Sequence, residues 1–395
     1  MDDHEIDFWR SLPAEQQPTW ENEWLLDRTR ADLAELPPLV SWTEVRTLRR
    51  LLAEVAAGRL LVVQAGDCAE CPTECTPEAV SRKVGLLEAL AGVLRMRGDR
   101  PVIRVGRIAG QFAKPRTRPT ELCDGIELPA FRGPLVNGPE PDLLSRRPDP
   151  LRMLVCHRAA SSVMTYLWRT KTWTPVPETM VWTSHEALIL DYELPQLRHL
   201  PGGRLLLSST HWPWIGDRTR RVDGAHIRLL SAVSNPVACK VGPSMTSAGL
   251  LALCAQLDPH REPGRLTLIT RLGADLVAQR LPELVTTVRA AGHPVIWLCD
   301  PMHANTVIGP GNRKTRLVEQ IIREVHAFTE AVTAAGGVAG GLHLETTPDP
   351  VSECVMDSSE LTRLGEHYTT LCDPRLNPEQ ALAVVANWTR KGDPS

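Results

Sequence analysis

The chain has 395 residues, 43% of them hydrophobic, with 44 Lys and Arg against 47 Asp and Glu for a formal charge of −3. That mixture excludes a disordered, collagen-like or coiled-coil chain, and the near-neutral balance leaves no overall positive field to recruit nucleic acid or an anionic membrane. No apolar run reaches the roughly 18 residues of a membrane span and the acidic opening MDDHEIDFWR lacks the apolar stretch of an export signal, so the chain reads as cytoplasmic, its ten cysteines reduced.

Only six cationic residues are Lys (83, 114, 171, 240, 314 and 391), leaving 38 of the 44 as Arg, so a Lys inside a motif merits inspection. Residues 1–59 form an N-terminal extension with a Trp-rich, Pro-punctuated start (Trp9, Pro13, Pro18, Trp20, Trp24), then a helical stretch around TEVRTLRRLLAEVAAG. Its aromatic residues must bury against the chain's own barrel or a partner subunit, and a homo-oligomer, dimer or tetramer, is expected.

From 60 to 395, eight apolar runs recur: LLVVQAG (60–66), PVIRVGR (101–107), TMVWTSHEA (179–187), RLLLSSTHW (204–212), PVACKVG (236–242), RLTLITR (265–271), HPVIWLCD (293–300) and GGLHLET (340–346). Several are continuous, as strands buried on both faces should be, and helix-compatible segments such as 76–94 lie between them. This predicts an α/β chain folded as a (β/α)8 TIM barrel, with an open doubly wound sheet as the alternative. The stretch 108–178 is too long for a βα connection and reads as an insert between strands 2 and 3. Residues 376–390, opening on Asn377-Pro378, read as a closing helix.

In such a barrel the chemistry lies at the C-terminal ends of the strands. There the sequence places Asp67, Cys68 and Glu70, then Asp300 and His303, then His343 and Glu345, and beyond them Cys372, Asp373 and Arg375. Thiolate, imidazole and carboxylates together suit Mn²⁺, Co²⁺, Fe²⁺ or Zn²⁺ better than Mg²⁺. A competing reading takes Cys68, Cys71 and Cys75 as ligands of an iron–sulfur cluster, against which stand the order of the spacings and Pro72. Arg107, Arg218, Lys240 and Arg271 end or follow the middle strands. Lys240 lies inside an apolar run, where an unpaired charge costs several kcal/mol, about what an anionic ligand would offset. These four cations suit a phosphate and a carboxylate bound together, and Lys114, Arg116 and Thr117 suit a second phosphate.

With these residues in place the chain resembles the type II 3-deoxy-D-arabino-heptulosonate 7-phosphate (DAHP) synthases, in a short, phenazine-type form. The resemblance runs through FWRSLPAEQQPTW (8–20), QAGDCAE (64–70), RIAGQFAKPRT (107–117), FRGPLVNG (131–138), TSHEALILDYE (183–193), WIGDRTRRVDGAHI (214–227), NPVACKVGP (235–243), RLTLITRLG (265–273), CDPMHANT (299–306) and CDPRLN (372–377). It implies a metal-dependent condensation of phosphoenolpyruvate (PEP) with erythrose 4-phosphate, in a (β/α)8 barrel. The implied metal ligands are Cys68, His303, Glu345 and Asp373, for Mn²⁺ or Co²⁺ first and Zn²⁺, Fe²⁺ or Cd²⁺ after. PEP falls on Arg107, Asp217, Arg218, Lys240 and Arg271, and erythrose 4-phosphate on Lys114, Pro115, Arg116 and Thr117. Lys240, Arg107, Asp217 and His303 are the implied catalytic groups.

Asp217 stands where the family usually has Glu; either acid can position a water or pair with Arg218. Ala65 and Ala304 replace Gly, Pro134 replaces Asp, and the stretch after Glu345 lacks the usual Gly pair near Cys354. These departures keep open a synthase for an amino aldose phosphate. A non-catalytic homologue serving as a regulatory partner is the remaining alternative. Cys372, next to Asp373, is expected near Cys68, where a disulfide would remove a ligand. The Pro- and Arg-rich 108–178 leaves little room for the added helix pair that carries aromatic amino-acid sites in longer members.

Overall fold

The computed structural model describes residues 3–123, 125–169 and 180–388. Lys171, Lys391, the end of the insert (170–178), Thr179 and the last two residues of 376–390 lie outside the described residues. Seven of the eight apolar runs supply parallel strands, and Trp214–Ile215 supplies one more: β1 (Leu61–Gly66), β2 (Val102–Arg107), β3 (Val181–Thr183), β4 (Trp214–Ile215), β5 (Val237–Val241), β6 (Leu266–Thr270), β7 (Ile296–Cys299) and β8 (Ala339–Glu345). Their hydrogen-bonded order is β3-β2-β1-β8-β7-β6-β5-β4. Ala187 N–H donates to Trp214 O at 2.9 Å and Trp214 N–H to His185 O at 3.0 Å, which joins β3 to β4 and closes the sheet into the (β/α)8 barrel.

Local sequence explains the elements between strands. Helix Pro77–Gly98 starts on Thr76, whose side chain accepts from Ala79 N–H, has Pro at its first position and ends on Asp99 in the left-handed region. Helix Pro378–Ala386 starts in a capping box of Asn377 and Gln380. The fourth run corrects the sequence reading. Leu205–Leu207 pairs antiparallel with Leu197–His199 in a separate hairpin, and the barrel position goes to the two-residue β4 after Pro213. The longer apolar run stays out of the barrel because its carbonyls and amides are taken up by the hairpin, while the Trp212 and Trp214 side chains fill the interior.

Alternation along the strands decides what reaches the site, since successive side chains point to opposite faces. In β5, Val237, Cys239 and Val241 pack outward with the helices and Ala238 packs inside with Val62, Ile269 and Leu298, so Lys240 also points inward. The same parity sends Arg107, Arg271, Asp300, His343 and Glu345 inward at the C-terminal end. The opposite end is closed by helix Trp42–Ala56, whose Leu48, Leu52 and Val55 pack on the barrel interior. Trp9 is buried against the chain's own barrel layer, whereas Trp24 is 75% exposed. The described part of 108–178 holds a hairpin, Thr120–Cys123 with Ile126–Pro129, and one helix, Leu151–Arg169.

Candidate active site

A cavity of about 800 Å³ opens at the C-terminal end of the strands, and all thirteen candidate residues line it. Among its described lining residues are eight Lys or Arg and five Asp or Glu, a surplus of cations suited to a polyanionic ligand.

On one side lies the metal-type cluster. Donor atoms of Cys68, Glu345 and Asp373 all fall within 4.8 Å of one another. His303 Nε2 stands 3.4 Å from Glu345 Oε1, while its Nδ1 lies 2.8 Å from Asp300 Oδ2. A proton on Nδ1 donated to Asp300 leaves the Nε2 lone pair facing the cluster, the arrangement of a metal-ligating histidine. Burial lowers the His303 pKa to about 4 against the pull of Asp300, so the ring is neutral. The donor set therefore fits a borderline divalent ion.

Lys114 sits within this cluster, its Nζ 2.5 Å from Asp373 Oδ2, 3.6 Å from Glu345 Oε1 and hydrogen-bonded to Cys68 Sγ. Glu345 also meets Arg107 at 3.1 Å and the fully buried Arg316 at 2.9 Å. Burial would raise the Glu345 pKa, but the cations Lys114, Arg316 and Arg107 outweigh it and hold the carboxyl well below its usual range. Burial, Cys372 and Glu345 push the Cys68 thiol up, so a thiolate there depends on a bound cation. The Cys68 and Cys372 thiols act on each other's ionisation, which pushes Cys68 up and Cys372 down. Cys71 and Cys75 instead meet Thr73 Oγ1 and the Cys71 carbonyl, so the three-cysteine reading does not assemble.

On the other side lies the anion clamp. Arg107 Nη1 donates to His343 Nε2 at 2.7 Å, and His343 Nδ1 donates to Gln64 Oε1 at 2.7 Å. Burial, Lys240 and Arg107 keep His343 neutral, which that bonding requires. Lys240 Nζ lies 2.9 Å from Asp300 Oδ2 and 5.9 Å from the Trp214 ring centre. Asp300 thus offsets the cost of burying Lys240 that the sequence reading left to a ligand. Burial and Arg107 still lower the Lys240 pKa against Asp300. Arg271 meets Asp217 at 3.2 Å, and its Nε is buried without a protein partner.

One expectation changes. Asp217 turns to Arg220 at 2.7 Å, Arg271 and the Gly242 amide rather than to Arg218. It therefore holds Arg271 in place, while Arg218 donates to Thr117 Oγ1 at 2.8 Å and links the two anion segments. Arg116 pairs with Glu121 of the insert hairpin. Ala304 has φ +73°, a left-handed conformation that Gly adopts freely and that costs an L residue roughly 1–2 kcal/mol, which accounts for Gly being usual there.

Sequence reasoning missed Glu186, Lys314 and Arg316. Lys314 lies 2.9 Å from Asp373 Oδ1. Glu186 alone among the described acids lining the cavity makes no ion pair, and its Oε1 is buried without a partner. Burial raises its pKa although Lys240, Lys114, Arg107 and Arg218 oppose the rise. Scarcity of Lys was the available signal for Lys314; nothing local marks Glu186 or Arg316.

Comparison with known proteins agrees with this geometry. The model of the class-II DAHP synthetase family matches residues 4–174 and 163–387. A Pseudomonas fluorescens protein named a probable phospho-2-dehydro-3-deoxyheptonate aldolase is 52% identical, covering 96% of each chain. Proteins named phospho-2-dehydro-3-deoxyheptonate aldolase from Streptomyces coelicolor, 38% identical over 95% of each chain, and Neurospora crassa, 35% identical over 96% of this chain and 92% of that one, also match. With its barrel, its cluster and its clamp in one cavity, the chain belongs to the class-II DAHP synthetase family of enzymes.

Proposed function

We propose that this enzyme condenses PEP with D-erythrose 4-phosphate and water, giving DAHP and phosphate, the first step of the shikimate pathway, with Mn²⁺ or Co²⁺ as the favoured metal. The observation that carries the reading is one cavity in which Cys68, His303, Glu345 and Asp373 stand beside Arg107, Lys240 and Arg271. The first four residues would hold the ion, and a bound divalent ion supplies Lewis-acid polarisation of the aldehyde. Arg107, Arg218, Lys240 and Arg271 hold the PEP phosphate and carboxylate so that its methylene carbon faces the aldehyde carbon. Lys114, Pro115, Arg116 and Thr117 hold the aldose phosphate. After the new C–C bond forms, water adds at C2 and phosphate leaves by C–O cleavage. Glu186, carboxylate oxygen unpartnered, is placed to take the proton of that water, and Lys240 serves as clamp and proton donor. Mass spectrometry of the product tests the reading: a seven-carbon acid phosphate from erythrose 4-phosphate is expected. A higher kcat/KM with the amino analogue would favour the modified-aldose alternative.

We further infer an enzyme of secondary metabolism without end-product control. What supports this is the composition of 108–178 and the single helix described within it. Phe, Tyr and Trp, alone or together at millimolar concentration, are expected to leave the rate nearly unchanged; synergistic inhibition by any pair would return the enzyme to primary aromatic biosynthesis. The paired thiols give a second expectation. Peroxide is expected to inactivate by joining Cys68 to Cys372, and Cys372→Ser to protect; inactivation at the wild-type rate in that variant contradicts it.

A further inference from the structure

A line of buried charge runs beneath the cluster and takes no part in the reaction above. Arg375 Nη1 lies 2.9 Å from Asp67 Oδ1, and Lys83 Nζ lies 2.6 Å from Asp67 Oδ2. Behind Arg375 stands Glu353, fully buried and 2.8 Å from Arg375 Nη2. Beyond Lys83 stands Glu70, 1% exposed and electrostatically coupled to the ammonium group. Both outer acids end on backbone. Glu353 accepts the amides of Thr369, Thr370 and Arg375 at 3.1, 2.8 and 2.8 Å, which fixes the loop that presents Asp373. Glu70 accepts three successive amides, Ala109 at 3.1 Å, Gly110 at 2.9 Å and Gln111 at 2.9 Å, where Ala109 has φ +63°. Successive amides around a left-handed residue form a concave anion site, here filled by a side chain of the same protein.

We propose that Lys83, acting through Asp67 and Arg375, is a positioning residue that sets the separation of the loops carrying Cys68 and Asp373, and so the affinity of the metal site. The proposal rests on the reading of those residues as ligands. Asp67 directly precedes Cys68 and Arg375 follows Asp373 by two positions, so a contact between Asp67 and Arg375 spans the two ligand loops although they are 308 residues apart in sequence. Lys83 compensates Asp67 and Glu70 from below. On its helix the other large buried side chains are apolar (Val80, Leu86, Leu87, Leu90, Leu94), so an ammonium group there departs from the pattern of the face. Fold stability does not account for that departure, because apolar side chains commonly replace buried ion pairs with no loss of stability. What an apolar side chain cannot supply is a fixed distance between two loops. Groups that orient metal ligands typically contribute about 10–100-fold to metal affinity.

The test is calorimetric titration of the metal-free, full-length protein with Mn²⁺, alongside thermal unfolding of the same samples. Lys83→Met is expected to weaken Mn²⁺ binding by about 10–100-fold, with the KM for PEP little changed, and Lys83→Arg to restore most of the affinity. Arg375→Lys keeps the charge but loses the fork on Glu353, and is expected to weaken binding as well; it decides the matter should Lys83→Met fail to fold. Binding that requires Cys68 but is unmoved by Lys83→Met, or by Arg375→Lys where the first does not fold, overturns the proposal, as would a lowered Tm with unaltered affinity. Mn²⁺ binding that ignores Cys68→Ser would instead overturn the ligand assignment, and this proposal with it.

Discussion

Lys240→Ala and Arg271→Ala are each expected to lower kcat/KM for PEP by orders of magnitude. Each removes a charge-assisted contact of about 1.5–3 kcal/mol, roughly 10- to 150-fold in binding alone, and a further share where the same cation stabilises charge that develops only in the transition state. Lys240→Ala carries a second loss, because it leaves Asp300 buried beside His303 without its partner ammonium. Arg116→Ala, whose side chain pairs with Glu121 at the insert, is expected to act mainly on the KM of the aldose phosphate. Steady-state kinetics with each substrate varied in turn checks both, and a Lys240 variant that raised only the KM of erythrose 4-phosphate would show that the two sites are exchanged. The lowered pKa of Lys240 adds a sign. Its positive charge is lost at lower pH than that of an ordinary lysine, so as pH rises the KM for PEP is expected to climb earlier than an ordinary lysine would make it, and to do so less steeply in Lys240→Arg.

Cys68→Ser is expected to abolish tight metal binding and with it nearly all turnover. The cluster supplies its softest donor through this sulfur, and the replacement hydroxyl neither ionises near neutral pH nor favours borderline metals. Because burial and the neighbouring Cys372 and Glu345 keep the free thiol protonated, metal binding must release a proton, so wild-type affinity is expected to rise with pH. Equilibrium dialysis at several pH values follows both effects. An affinity equal in the wild type and in Cys68→Ser would remove Cys68 from the ligand set.

Much of the site was legible because strand parity carries it. Once PVACKVG is a strand with Ala238 inward, Lys240 is inward too, and the same count from Val105 and Ile269 brings in Arg107 and Arg271. Scarcity also spoke. The four Lys that the structure describes, 83, 114, 240 and 314, all lie in the cavity or in the charge line beneath it. The fourth strand was misplaced because hydrophobic run length marks Leu205–Leu207 more strongly than the two residues that take the barrel position. Pairing partners were beyond reach for a different reason. Asp217 choosing Arg271 over Arg218, or Arg375 choosing Asp67, depends on where separate loops end in space, which residue type and spacing do not specify. Glu186 is the sharpest case, since it lies within a recognised motif and acquires its character from burial, opposed by Lys240, Lys114, Arg107 and Arg218 of other segments.

Phosphate release from PEP reports most directly on whether one cavity joins PEP to an aldose phosphate with a bound divalent ion. Release is expected only when erythrose 4-phosphate is present, to stop in EDTA and to return on adding Mn²⁺ or Co²⁺ in excess of the chelator. Phosphate release that continues unchanged in EDTA, or that proceeds equally well without the aldose phosphate, would contradict that arrangement.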